Sequence, residues 1–193
     1  MKSIVVFCGS SMGTDTTIVT AAYSLGKLFA ERDINLVYGG AKIGIMGKVV
    51  EGVLDNGGTV TGIIPDFLKV KEVCHTGLTK LLVTPDMHQR KLKMHELSDG
   101  VITLPGGYGT LEELFEMITW AQLGLHQKPI GILNCNGFYN DLLQMLKKMV
   151  SQGFLKQENY DMLLVEDTIE ALLVKMENYK PLPVQKWINR EQV

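Results

Sequence analysis

The chain has 193 residues, 46% hydrophobic and 21% charged, with a formal net charge of -2. That balance suits one globular domain with a full core and gives no basic footprint for nucleic acid. Cys8, Cys74 and Cys135 form no CxxC pair, and their odd number and wide spacing point to reduced thiols in a cytoplasmic protein. The apolar run of "MKSIVVFCGSS" is too short for a signal peptide, and no segment is long enough to span a membrane.

Short β-branched runs alternate with longer amphipathic ones. "SIVVFC", "INLVYG", "TVTGII", "KLLVT", "GVITLP" and "KPIGILN" read as strands, and "DMLLV" as a short seventh. Segments near 15–31, 44–56, 86–98, 110–124, 138–151 and 167–179 read as helices. This alternation predicts a central parallel sheet with helices on both faces. We expect one domain over 1–193, with an irregular tail from about residue 181. Ligands of such sheets bind beyond the carboxyl ends of the strands, near a topological switch point.

Three glycine loops fall at that edge. "FCGSSMG" follows the first strand, "VYGGAKIGIMG" the second and "LPGGYGT" the fifth. A helix start offers unpaired N–H groups and partial positive charge, which favour phosphate. Glycine also simply makes tight turns. Three such loops on one edge favour a nucleotide or sugar phosphate, with Ser10, Gly39, Gly40 and Gly44 as pocket-wall candidates. No GxxxxGK[ST] is present, and "GYGTLE" breaks GxGxxG at Glu112, so a P-loop ATPase and an NAD-linked dehydrogenase lack support. His75, His88, His95 and His126 are scattered and read as surface or packing residues. No metal and no cofactor is expected.

In "PDMHQRKLKMHELSDG", Asp86 reads as an N-cap with Gln89 three residues on. Helical spacing puts Arg90 on the stripe of Met94 and Leu97, so it is an inward cation that needs a partner, or a packed stem whose head reaches solvent. Lys91 and Lys93 fit an ordinary solvated face equally well. In the next charged helix, Thr110 and Glu113 fit a capping box. Leu111, Leu114, Phe115, Ile118 and Ala121 form the expected core stripe. Met117 and Trp120 form a second apolar side, which points to burial against another subunit. A phosphate cradle, an arginine and a half-buried carboxylate together suit cleavage at a sugar's anomeric carbon, because that reaction develops positive charge on the sugar.

"PDMHQRK" followed by "LPGGYGTLEE", with "GSS", "YGGAKIGIMG" and "TWAQLGLHQKPIGILN", resembles the LOG (Lonely Guy) family of cytokinin-activating nucleoside 5'-monophosphate phosphoribohydrolases. The resemblance runs from about residue 3 to 180. It implies a Rossmann-like α/β fold, a homodimer, and a small nucleotide monophosphate as partner, with no nucleic acid and no membrane. The implied reaction is hydrolysis of the N-glycosidic bond of N6-substituted AMP, or of AMP itself, giving free base and ribose 5-phosphate. It implies Arg90 and Glu113 as the catalytic pair. It also implies substrate contacts at Glu72, Lys91, Gly107, Tyr108, Gly109, Thr110, Leu111, Glu112 and Thr119. Two other readings stand beside it: a non-catalytic nucleotide or cofactor carrier, and a pyridoxal-phosphate-dependent lysine decarboxylase, the family's older label.

Overall fold

A computed structural model describes residues 1–69, 75 and 77–181. Its strands are β1 (Ser3–Phe7), β2 (Asn35–Tyr38), β3 (Val60–Pro65), β4 (Lys80–Thr84), β5 (Gly100–Thr103), β6 (Ile130–Leu133) and β7 (Leu163–Glu166). Its helices are α1 (Thr16–Glu31), α2 (Gly44–Leu54), α3 (Asp66–Lys69), α4 (Met87–Glu96), α5 (Tyr108–Gln122), α6 (Asn140–Ser151), α7 (Gln157–Tyr160) and α8 (Ile169–Glu177). The strands form one sheet of order β4-β3-β2-β1-β5-β6-β7, parallel throughout. The chain leaves β1 in one direction through β2 to β4 and resumes on its other side at β5. The switch point therefore lies between β1 and β5.

Each central strand is buried on both faces, so its alternate residues feed two cores. Ile4, Val6, Leu36, Tyr38, Ile102 and Leu104 pack with α1, α2 and α8. Val5, Phe7, Val37, Ile63 and Val101 pack with α4 and α5. The result is the Rossmann-like three-layer α/β architecture expected from the alternation. The sequence-level helix ends agree with the structure within two residues. The short α3 and α7, and a 3-10 turn over Cys135–Gly137, are additions with too few residues to leave a periodic signal.

The start of α5 differs from expectation. Its N-cap is Gly107, which offers no side chain. Thr110 lies inside the first turn and is buried, with its Oγ1 only 2.1 Å from where a Cβ on Gly106 would stand. The Thr110–Glu113 capping box therefore does not form. An N-cap side chain is worth about 0.5–2 kcal/mol. Each large apolar side chain buried contributes about 1.5–3 kcal/mol. Docking Leu114, Met117, Ile118 and Ala121 onto the sheet outweighs the missing cap.

That docking also corrects the core stripe. Met117 is fully buried within this chain, whereas Phe115 is exposed. Trp120 packs on the same core and meets His95 edge-on at 5.4 Å. The second apolar side of α5 is thus intrachain core, and a dimer contact is not needed to bury it. His95 and His126 are buried packing residues here, while His88 is exposed. Among the described residues, no helix is long and apolar enough to cross a membrane.

Helices α1 and α2 touch backbone to backbone. A Cβ on Gly26 would lie 2.1 Å from the Val49 carbonyl oxygen, and one on Gly52 would lie 2.1 Å from that of Tyr23. Gly52→Ala should therefore destabilise the fold by about 1–3 kcal/mol, the usual cost of overpacking. Gly109→Ala, whose added carbon meets no heavy atom within 4 Å, should hold or raise the melting temperature, since alanine favours a helix. Thermal melts of the two variants check this contrast.

Candidate active site

The three glycine loops meet at the switch point. The Gly9 N–H donates to the Pro105 carbonyl at 3.1 Å, tying the first loop to the third. The Met46 N–H donates to the Gly9 carbonyl at 3.3 Å, tying in the second. Gly44 has φ +60°, and a Cβ there would sit 2.3 Å from the Ser10 carbonyl carbon. Both its backbone conformation and its contact thus require glycine.

Of the helices that begin at this edge, α1, α2, α4 and α5 differ in their caps. Asp15 accepts from the Thr17 N–H at the start of α1, and Asp86 from the Gln89 N–H at the start of α4, each at 2.8 Å. Helices α2 and α5 begin at Ile43 and Gly107 with no side-chain cap. Apart from the Met46 N–H, already given to Gly9, the leading N–H groups of these two helices meet no capping side chain, which suits an anion. Gly107 and Gly109 have open space where a Cβ would be, so the chain's own packing does not explain glycine there. Between them Tyr108 is 94% exposed.

Arg90 is held by backbone carbonyls of β3 and of the loop that follows β2. Its Nε–H donates to the Ile63 carbonyl at 3.2 Å, and Nη2 to the Gly39 carbonyl at 3.3 Å. A Cβ on Gly39 would lie 2.1 Å from Nη2, so the guanidinium occupies the space that glycine leaves. Nη1 faces Oε1 of Glu113 at 3.9 Å, beyond hydrogen-bond length, with the two side chains 11% and 14% exposed. The charges attract without being locked together. Burial pushes the Glu113 carboxyl up to about 7, despite the opposing pull of Arg90 and Lys91, and the charges of Glu112 and Glu116 push the same way as burial. Cys8 lies at the end of β1, where burial, then the charge of Glu113, raises its thiol's pKa. It is a packed thiol and offers no thiolate nucleophile.

Lys91 does not lie on a solvated face. It is the one buried lysine among the described residues. Its Nζ donates to Glu112 at 2.5 Å and to Glu116 at 2.9 Å. Burial works to lower its pKa, but the two carboxylates carry it above the ordinary lysine value. Lys93 pairs with Glu96 on the exposed side of α4. The sequence reading passed over Glu116, although its spacing from Glu112 and Glu113 in "LEELFE" puts all three on neighbouring helical positions.

The other candidates divide by position. Ser10 is exposed on the first loop, and Gly39 and Gly40 are buried at the end of β2. The Gly40 carbonyl accepts from the His75 N–H at 3.3 Å. Leu111 is half-buried against the α5 core. Thr119 lies further along the exposed side of α5, its hydroxyl donating to the Phe115 carbonyl at 2.7 Å. Glu72 lies outside the described residues. Among those described, no group of three or more His, Cys, Asp or Glu is arranged to hold a metal.

A carboxyl that binds its proton more tightly when folded weakens the fold as pH rises. Below about pH 4.5 Glu113 is protonated in both states; between there and about pH 7 the unfolded chain releases that proton first. Glu113→Gln removes this penalty. Its melting temperature should therefore exceed the parent's at pH 8 and match it near pH 4, as calorimetry at the two pH values would check.

The family described as "Possible lysine decarboxylase" matches residues 46–176. Cytokinin riboside 5'-monophosphate phosphoribohydrolase LOG3 of Arabidopsis thaliana is 47% identical over 180 residues, covering 93% of this chain and 84% of that protein. The probable cytokinin riboside 5'-monophosphate phosphoribohydrolase LOGL3 of Oryza sativa subsp. japonica is also 47% identical, covering 93% and 85%. Among solved structures, the molybdenum cofactor binding protein of Rippkaea orientalis superposes with a TM-score of 0.69 at 22% identity, covering 92% of this chain and 96% of that one. The Moco carrier protein of Chlamydomonas reinhardtii gives 0.68 at 19%, covering 91% and 94%. These structures share the fold, while the sequence identity is with the hydrolases. The chain belongs to the family of cytokinin riboside 5'-monophosphate phosphoribohydrolases.

Proposed function

We propose that this protein hydrolyses the N-glycosidic bond of adenosine 5'-monophosphate or its N6-substituted forms, releasing the free base and ribose 5-phosphate. The observation that carries this reading is the largely shielded Arg90–Glu113 pair beside two helix starts with no side-chain cap. The phosphate takes the open N–H groups of α2 and α5. The sugar then lies toward Glu113. As the bond from ribose C1' to the base nitrogen breaks, its electron pair leaves with the base and positive charge grows on the sugar. Ionised Glu113 stabilises that charge and accepts a proton from the attacking water, whose oxygen joins C1'; that proton then passes to the departing base, which leaves neutral, and Glu113 is ionised again. Arg90 orients Glu113 and balances negative charge. Gly107, Tyr108, Gly109, Thr110, Leu111, Glu112, Lys91, Thr119 and Glu72 complete the substrate-contact set of this reading, with Ser10, Gly39, Gly40 and Gly44 as pocket wall.

The lysine decarboxylase reading fares worse. An aldimine-forming lysine must lose its proton readily, whereas Lys91 is held as an ammonium by two carboxylates. Cytoplasmic residence is part of our reading, supported by the free, buried thiols of Cys8 and Cys135. So is one hydrolase domain over 1–193 with a tail from about 181. A homodimer through α4 and α5 is supported by Leu92 and Phe115, apolar side chains left exposed on those helices. Light scattering at micromolar concentration should give twice the chain mass, and Leu92→Glu should reduce it to one.

Glu113→Gln should lower base release from AMP or isopentenyl-AMP by about 10²–10⁴-fold, the scale of an acid–base or charge-stabilising group. AMP affinity should persist, because the backbone N–H groups are untouched. Arg90→Ala should lose turnover while remaining folded. Chromatography of the free base, with calorimetric AMP binding on the same preparations, tests all three statements. Tight AMP binding with no base released by the parent protein would favour a carrier.

A further inference from the structure

The facing surfaces of α4 and α5 carry an unbalanced set of charges. Helix α4 presents Arg90 and Lys91; α5 presents Glu112, Glu113 and Glu116. Three carboxylates face two cations, so one negative charge is left over. Distribution within the set follows from the contacts. Lys91 spends its hydrogen bonds on Glu112 and Glu116, at 2.5 and 2.9 Å, leaving Glu113 only the looser contact with Arg90 at 3.9 Å. Glu112 is more than half exposed, and water disperses its charge. Glu116 is shielded: its side chain is 21% exposed, and Oε2 is buried with no hydrogen-bond partner among the described residues.

We infer that Glu116 is a positioning residue for hydrolysis: it anchors Lys91 away from Glu113 and keeps an uncompensated negative charge beside it, so that Glu113 stays available to take a proton from water. Glu116 lies three residues from Glu113 and does not need to touch the substrate. The inference rests on the reading of Glu113 as the reacting carboxylate. Its chemical logic is that a proton acceptor works best when its affinity for the proton matches the working pH. A carboxylate paired tightly with Lys91 would hold its proton too weakly. Burial, Glu112 and Glu116 raise that affinity, while Arg90 and Lys91 limit the rise. Cys8, a further titratable neighbour among the described residues, is a buried neutral thiol and adds no charge.

Glu116→Gln is the discriminating variant. It keeps the shape and an oxygen that accepts from Lys91, and removes the charge. Carbon-13 NMR of the glutamate carboxyls in substrate-free protein reads the Glu113 midpoint directly, with Glu113→Gln assigning the signal. That midpoint should fall by about one pH unit in Glu116→Gln, the scale of one nearby charge. The acid limb of kcat should move down with it while KM for AMP stays put. Glu116→Asp, which retains the charge, should restore most of the parent midpoint. Glu166→Gln, which alters a surface pair with Lys175, should shift nothing. An unmoved Glu113 midpoint overturns the inference, as does a raised KM with an unmoved acid limb, which would make Glu116 a holder of Lys91 for substrate. The NMR titration needs no turnover. A protein with a shifted midpoint and no base release would therefore keep this inference and sink the proposed reaction alone.

Discussion

A guanidinium seated between two backbone carbonyls, one of β3 and one just after β2, fixes the geometry of this site. Arg90 can reach the Ile63 and Gly39 carbonyls only because β2 and β3 are adjacent and parallel, and because residue 39 has no side chain. Those bonds satisfy part of a buried cation that water would otherwise have to solvate. They also aim Nη1 across the crevice to α5. Glu113 can then be buried, since an isolated carboxylate there would simply remain protonated. The loose 3.9 Å spacing leaves both groups unsaturated. A tight bidentate pair would be more stable and would hold the carboxylate ionised well below neutral pH.

The same economy appears in the charges around the pair. Native folds usually bury charges in balanced sets. Here α4 and α5 bury a surplus carboxylate, and the penalty grows through the pH range in which the group would work. The hydrophobic docking of α5 onto the sheet carries that penalty. Leu114, Met117 and Ile118 are buried beneath the very turns that bear Glu112, Glu113 and Glu116. Removing strain at such a site raises stability and lowers activity, which is why Glu113→Gln is informative in both measurements.

Most of the fold was legible because parallel strands and their covering helices differ in period, length and residue type. The site was legible where single residues carry the signal. Arg90 stood out as a cation on an apolar stripe, and the glycine loops as three strand-to-helix turns on one edge. Thr110 was misread because a capping box is a local preference worth little beside packing. Phe115 and Met117 exchanged roles because Leu114, Met117, Ile118 and Ala121 make as good a helical stripe as the one expected, and only the docked sheet selects between them. Lys91 was illegible for another reason. Its partners lie twenty-one and twenty-five residues away on a different helix, and periodicity cannot say which carboxylates face it.

The motif "LPGGYGTLEE" joins two demands that look incompatible, open amides for an anion and carboxylates for a cation. Helix geometry separates them. Gly107 caps α5 and Glu113 is six residues on, roughly 9 Å along the axis at 1.5 Å per residue. Side chains on a helix lean toward its N-terminus, so the carboxylate reaches back across part of that distance. An anion at the helix start is attracted by the N–H groups and feels Glu113 only at a distance. A group beside the anion, one sugar ring away, comes under the carboxylate instead. On the proposed reaction, one rigid helix thereby sets the spacing between the phosphate and the anomeric carbon of a single substrate. A change that rotated or shifted α5 would disturb both ends together, because neither end sits on a loop that could adjust alone.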